Sequence, residues 1–190
     1  MLQLSKNLIL ASKSPRRKAL LDAMGFSFET RSKETAEDYP THLQASEIAE
    51  YLAQKKALAF KDELKPNEII LSSDTVVWCE GKSLEKASNA KEAAEMLRFL
   101  SGKQHAVITG VCLYSLEKTV LFSDTVNVHF RALTEQEIQH YIGAYQPFDK
   151  AGAYGIQEWI GMIGIERIEG SYFTVMGLPT HLVYAELNKF

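Results

Sequence analysis

Apolar and polar positions along this chain switch between two spacings, and the switches predict its elements. Leu8 to Ala11 is a short unbroken apolar run, as a strand buried on both faces requires. It meets Ser-Lys-Ser-Pro, where Ser14 suits a helix N-cap, Pro15 the first helical position and Gly25 the stop, predicting a helix over 15–24. Residues 31–42 are polar and read as a loop. Ile48, Leu52 and Ala53 share one face of a helix running from Ser46 to about Phe60. Glu68 to Trp78 is rich in Ile, Val and Leu and reads as a strand, closed by a turn at Glu80-Gly81. Asn89 and Glu92 form a capping-box pair opening a helix that stops near Gly102, and Thr134 and Glu137 another for a helix ending near Gly143. Between these helices lie two longer strand-like runs, about His105 to Tyr114 and Thr119 to Phe130, joined at Glu117-Lys118. The glycine-punctuated stretch from Gly152 to Gly177 reads as strands mixed with loops, and Leu182 to Leu187 as a final helix. Strands and helices interleave without repeats or linkers, which predicts a mixed α/β fold and a single domain over 1–190.

Composition narrows the partners. The 190 residues are 46% apolar, enough for a sizeable core, and 21 basic against 24 acidic residues leave a net charge of -3. That balance gives no bulk attraction to a nucleic acid polymer or to an anionic membrane, so any anion site must be local. The apolar runs are too short or too polar to span a bilayer, and the N-terminus lacks the long apolar core of a signal peptide; the expected location is cytoplasmic. Cys79 and Cys112 each fall in a strand-like run and read as reduced, buried thiols. No cysteine or histidine cluster has zinc spacing, so a metal here would be a hard one held by carboxylates and phosphates.

Three segments and three single residues carry candidate chemistry. In Ser12-Lys13-Ser14-Pro15-Arg16-Arg17, a helix N-terminus offers free N–H groups to an anion, yet its first turn holds two arginines, which the helix dipole disfavours. A bound polyphosphate resolves that conflict; a solvated basic turn also fits. Asp74, in Ser72-Ser73-Asp74-Thr75-Val76-Val77, interrupts a strand-like run where aspartate is depleted, and can hold a metal ion, activate water, or merely cap a strand end. Glu37, Lys56 and Lys86 read singly as surface charges, although a lysine beside a triphosphate would neutralise a leaving pyrophosphate. In Asp149 to Gln157, two glycines and two alanines permit close backbone approach to a ligand and Gln157 can both donate and accept; a tightly packed turn fits as well. Gly81-Lys82-Ser83 looks like the end of a P-loop, but Val76 stands where its first glycine should be.

Taken together and in order, LILASKSPRRKALL (8–21), SDTVV (73–77), Leu84-Glu85-Lys86, AAEMLRFLSGKQH (93–105), DKAGAYGIQ (149–157) and GSYFTVMGLP (170–179) closely resemble the Maf family over nearly the whole chain. The resemblance implies an α/β fold related to inosine triphosphate pyrophosphatases, a twisted mixed sheet with flanking helices forming two lobes around a cleft. It implies hydrolysis of a nucleoside triphosphate to the monophosphate and pyrophosphate with Mg²⁺ or Mn²⁺, and a homodimer. The family's catalytic aspartate falls on Asp74 and its acidic partner on Glu37, the pair that would place the metal. Its phosphate-binding basic residues fall on Arg17, Lys56 and Lys86, with Ser12 and Ser14 beside them. Arg16, Thr75 and Gln157 match the branch acting on dTTP and UTP rather than on 7-methyl-GTP. The chain departs from the family at Ala87, where proline is usual, and at Glu158-Trp159, where glycine is. Two rivals stand beside this expectation: clearance of 7-methyl-GTP or other purine nucleotides, and a nucleotide-binding regulator of cell division without turnover.

Overall fold

The computed structural model describes residues 4–190; the first three residues of the expected 1–190 domain lie outside the described residues. Its sheet has seven strands, β1 (Asn7–Ala11), β2 (Phe28–Arg31), β3 (Glu68–Cys79), β4 (Lys82–Leu84), β5 (Gln104–Tyr114), β6 (Thr119–Phe130) and β7 (Ile165–Glu169). Their order is β2-β1-β3-β5-β6-β7, with β4 paired to β3. The helices are α1 (Pro15–Ala23), α2 (Ser46–Leu58), α3 (Ala90–Leu100), α4 (Glu135–Tyr145), α5 (Trp159–Gly164), α6 (Tyr172–Met176) and α7 (Thr180–Leu187). The mixed sheet with flanking helices makes this an α/β protein. Among the described residues no helix is long and apolar enough to cross a membrane.

The chain divides into two compact units. The first comprises the described part of Met1–Asp74 with Thr109–Asp124 and Gly177–Phe190. Here β1 lies parallel to both β2 and β3, in register Leu8↔Phe28 and Leu10↔Leu71. A strand flanked on both edges and covered on both faces must be apolar throughout, and Leu8, Ile9 and Leu10 are fully buried. The parallel register sets the segment after β1 level with residues 72–74, midway along β3. Helix α2 buries Ile48, Ala49, Leu52, Ala53 and Ala57 along one face. It sits against β5 at Gly110, where a Cβ would lie 2.4 Å from the Ala49 carbonyl, so only glycine allows that approach. Ser72 Oγ, donating to the Ala53 carbonyl at 2.7 Å, pins β3 to the same helix.

The second unit comprises Thr75–Ile108 and Thr125–Met176. Its core gathers Val77, Leu97, Val107, Val126, Phe130, Ile138, Tyr141 and Ile160. Glu80 and Gly81, both at positive φ (49° and 78°), make the tight turn between β3 and β4 that twisted antiparallel strands require. Arg98 joins α3 to Glu135 of α4 by two hydrogen bonds of 2.8 and 2.6 Å.

Several details depart from the sequence expectations. Phe28–Arg31 is a strand where the sequence predicts no element before the 31–42 loop, and it takes Arg31 from that loop, carried by pairing to β1 despite its polar residues. The 152–177 stretch holds two short helices as well as β7. The Thr134/Glu137 capping box is complete, whereas Glu92 accepts from the Ser88 N–H at 2.8 Å and from the Asn89 side-chain amide at 3.0 Å rather than from the Asn89 backbone N–H. Both cysteines are buried free thiols, and burial pushes the Cys112 thiol up to about 12.

Candidate active site

In the first unit, seven of the expected site residues are brought onto neighbouring elements. The Ser14 side chain caps α1, accepting from the Arg17 N–H at 3.5 Å, and Ser12 Oγ accepts from the Ser14 N–H at 3.1 Å. These two bonds fold the strand-to-helix turn tightly, with Pro15 satisfying the first helical position. Arg16 and Arg17 follow in the first turn, both half-buried. Arg17 Nε donates to the Gly177 carbonyl at 2.9 Å, and Ser73 Oγ donates to the same oxygen at 3.3 Å. Gly177 adopts φ 109°, a conformation L side chains rarely reach. One glycine carbonyl therefore ties the arginine of α1 to the middle of β3.

Lys56, on the flank of the buried face of α2, reaches two carboxylates at once. Its Nζ donates to Glu37 Oε1 at 2.9 Å and to Asp74 Oδ1. Asp74 is buried at 8% exposure in β3, while Glu37 is exposed in the loop after β2. Burying a carboxylate is costly without a cation and a hydrogen bond, and Lys56 supplies both to Asp74. Arg17 belongs to the same cluster. Desolvation pulls its guanidinium below the usual arginine range; Asp74 opposes this, Arg16 adds to it, and Glu37 opposes it more weakly. Two arginines, one lysine and two carboxylates thus share one electrostatic neighbourhood at a helix N-terminus, an arrangement suited to a polyanion accompanied by a hard cation. The donor set fits such an ion: two carboxylates already converge on one positive charge, and the remaining positions would fall to phosphate oxygens and water. No group of three or more metal-binding side chains occurs among the described residues, so an ion here would rely on the substrate for part of its shell.

Thr75, Lys86 and Gln157 lie in the second unit. Thr75 follows Asp74 along β3 and is half-buried. Lys86 is exposed just beyond β4, and its backbone bridges that of Ala151. The Gly152 N–H reinforces this contact, donating to the Leu84 and Glu85 carbonyls at 3.0 and 3.2 Å. Gly152 and Ala153 are both left-handed, at φ 66° and 55°, and a Cβ on Gly152 would press against Val77 at 3.1 Å. Gln157 ends this loop, and its Oε1 is buried without a hydrogen-bond partner among the described residues.

Two groups escaped the sequence reading. Gly177 anchors Arg17 through its carbonyl, and its only sequence signal is a glycine before Leu-Pro. Tyr141, Lys150 and Glu158 form a polar cluster behind the 150–158 loop. Lys150 Nζ lies 3.1 Å from Glu158 Oε1, the Tyr141 hydroxyl donates to Glu158 Oε2, and the Gly155 N–H donates to the Tyr141 oxygen at 3.0 Å. Burial first, and then the Glu158 carboxylate, hold the Tyr141 phenol well above its ordinary range, so it stays a donor.

The fold and these groups describe an α/β protein with two arginines and a lysine beside paired carboxylates. Residues 7–190 match the family of Maf-like proteins. The chain is 47% identical over 183 residues to the dTTP/UTP pyrophosphatase of Bacteroides thetaiotaomicron, covering 96% of this chain and 95% of that one. It is 49% identical over 183 residues to the dTTP/UTP pyrophosphatase of Phocaeicola vulgatus, with the same coverage. A nucleoside-triphosphatase / dITP/XTP pyrophosphatase from Mycobacterium abscessus is a more distant solved structure, with a TM-score of 0.39 and 16% identity over 67% of this chain and 75% of that one. The chain belongs to the Maf family.

Proposed function

We propose that this protein hydrolyses nucleoside triphosphates to the monophosphate and pyrophosphate, with dTTP and UTP as its substrates. The observation that carries the reading is the convergence of Lys56 on Glu37 and Asp74 beside the arginines of α1, in a chain whose relatives bear the name dTTP/UTP pyrophosphatase. Ser12, Ser14, Arg16 and Arg17 would bind phosphate oxygens through the amides and guanidinium groups of the first turn. Lys86 would neutralise charge on the departing pyrophosphate. Glu37 and Asp74 would hold a divalent cation, Mg²⁺ or Mn²⁺, which when bound supplies phosphate charge neutralisation and a lowered pKa for water. Asp74 orients the attacking water and accepts its proton as the bond between the α- and β-phosphoryl groups breaks. Lys56 holds Asp74 and Glu37 in place through its hydrogen bonds to both carboxylates.

The base preference is supported by Gln157. A buried acceptor without a partner costs roughly 1–3 kcal/mol, so this oxygen favours a ligand that donates. The N3–H of uracil and thymine donates, whereas N3 of cytosine accepts. Thr75 and Arg16 accompany Gln157 in that assignment. Membership of one family running through both units supports residues 1–190 acting as one domain. We further take the enzyme to be a cytoplasmic homodimer acting on free nucleotides, which cell fractionation and light scattering test.

Pyrophosphate release from dTTP, UTP, CTP, 7-methyl-GTP and ITP, with Mg²⁺ or Mn²⁺ and with a chelator, tests the reading. Metal-dependent turnover led by dTTP and UTP is expected; no turnover of any nucleotide defeats it. Asp74→Asn should abolish turnover in a folded protein, and near-normal turnover there would remove Asp74 from its role.

A further inference from the structure

The 150–158 loop is closed on itself by a charged strut that the hydrolytic chemistry does not use. At its start, Lys150 is buried at 8% exposure, and the next residue, Ala151, bridges the backbone of Lys86. At its end, Glu158 directly follows Gln157. The ion pair between Lys150 and Glu158, 3.1 Å long, therefore joins the two ends of the loop. Tyr141, a fully buried residue of the α4 helix, touches the loop in two further places, through Glu158 Oε2 and the Gly155 amide. The backbone adds a turn, with the Glu158 N–H donating to the Gly155 carbonyl at 3.0 Å. Glu158 also precedes α5 without capping it by its side chain; the carboxylate turns instead to Tyr141 and Lys150. Space is tight here: a Cβ on Gly155 would lie 3.0 Å from the Glu158 carboxyl carbon and 3.2 Å from Gln157 Nε2.

We propose that Glu158, clamped by Lys150 and Tyr141, is a positioning residue that fixes Gln157 relative to the backbone of Lys86 and thereby sets discrimination between pyrimidine bases. The proposal rests on the dTTP/UTP reading above. A half-buried carboxylate with a charged and a phenolic partner cannot swing without breaking both contacts at once, leaving the buried Lys150 ammonium only Asp149, at 2.7 Å, of its two carboxylate partners. Gln157 lies in the chain between Gly155 and Glu158, both bound by Tyr141, so the backbone that carries its unpartnered oxygen is fixed on each side. An amide so held distinguishes a donor at base position 3 from an acceptor; one free to rotate offers its NH₂ to the wrong base instead. The strut's own contacts are among Tyr141, Lys150, Glu158 and the Gly155 amide, all around the loop that ends in Gln157, so it acts on which base is accepted rather than on how fast the anhydride breaks.

The test compares kcat and KM for UTP, dTTP and CTP in wild type, Glu158→Ala, Glu158→Gln and Tyr141→Phe, with circular dichroism to establish folding. In Glu158→Ala the UTP-over-CTP ratio of kcat/KM should fall about tenfold, chiefly through a raised KM for UTP, the size expected when one charge-assisted hydrogen bond is lost. Glu158→Gln keeps the shape and the Tyr141 contact and should recover part of the ratio; Tyr141→Phe should lose several-fold, roughly half of one such bond's effect in free energy. A wild-type ratio and KM in folded Glu158→Ala and Tyr141→Phe overturn the proposal. So does an equal loss of kcat on every nucleotide with the ratio unchanged, which is what a merely structural role would give. Should Glu158→Ala fail to fold, Glu158→Gln and Tyr141→Phe decide the matter by the same ratio. Failure of the substrate reading shows separately, in a wild type that turns over neither UTP nor dTTP.

Discussion

His105 gives the fold a pH dependence that can be worked out from its surroundings. It is buried at 2% exposure, with Nε2 2.7 Å from the Tyr154 hydroxyl and the ring edge-on to Phe130 and Tyr154 at centroid distances of 5.2 and 5.5 Å. Nδ1 has no partner among the described residues. Protonation would place a charge and a second N–H in this apolar pocket with no acceptor for it. Burial, with a smaller contribution from His129, lowers the imidazole from 6.5 to about 4. The unfolded chain binds this proton from about pH 6.5 downward, and the folded protein only near pH 4. Stability from this group is therefore complete above pH 6.5 and is lost as pH falls towards 4. At about 1.4 kcal/mol per pH unit the full loss is about 3 kcal/mol, of which about 2 kcal/mol is gone by pH 5. Glu135 and Glu137, held near 2 by Arg98 and Arg131, lose their contributions only at lower pH, so the interval from 7 to 5 isolates the histidine. Urea unfolding at several pH values, for wild type and His105→Gln, measures it. Wild type should lose about 2 kcal/mol more than the variant between pH 7.5 and 5. Equal losses in the two proteins would refute the reasoning.

Other expectations follow from single contacts. Gly110→Ala puts a methyl group 2.4 Å from the backbone of α2 and should destabilise by about 3 kcal/mol or more, read as a drop in Tm of roughly 6–12 °C. Gly177→Ala strains a backbone at φ 109°, on the order of 1–3 kcal/mol, and should also raise KM by displacing the carbonyl that holds Arg17. Arg17→Lys loses the Nε donor to Gly177 and the guanidinium fork, and should raise KM for UTP while leaving Tm within a few degrees; an unchanged KM would detach Arg17 from the phosphates.

Local chemistry made much of this legible in the sequence. The Ser14 cap, the Thr134 box and the apolar runs of β1, β3, β5 and β6 are each fixed by neighbours in the chain. Strand β2 was not legible, because Phe-Glu-Thr-Arg becomes a strand only through the edge that β1 offers. Candidate site residues were readable where a local rule is broken, as with arginines in a helix's first turn or aspartate in a strand. Lys56 gave no such signal; its partners Glu37 and Asp74 stand 19 and 18 positions away. The Tyr141–Glu158–Lys150 strut was hidden for the same reason, since a tyrosine on a helix face reads as ordinary core until the loop it grips is in place.

The two units are interleaved along the chain: one is assembled from three stretches and the other from two, with changes of unit after Asp74, Ile108, Asp124 and Met176. Neither can be lifted out of the gene as one uninterrupted fragment, and a recombination breakpoint at most positions would scatter the pieces of both. Useful shuffling between relatives is therefore confined to whole-chain exchange or to paired crossovers that respect those four joints. The first joint falls between Asp74 and Thr75, so a chimaera crossing over there would take its carboxylate from one parent and its neighbouring threonine from the other.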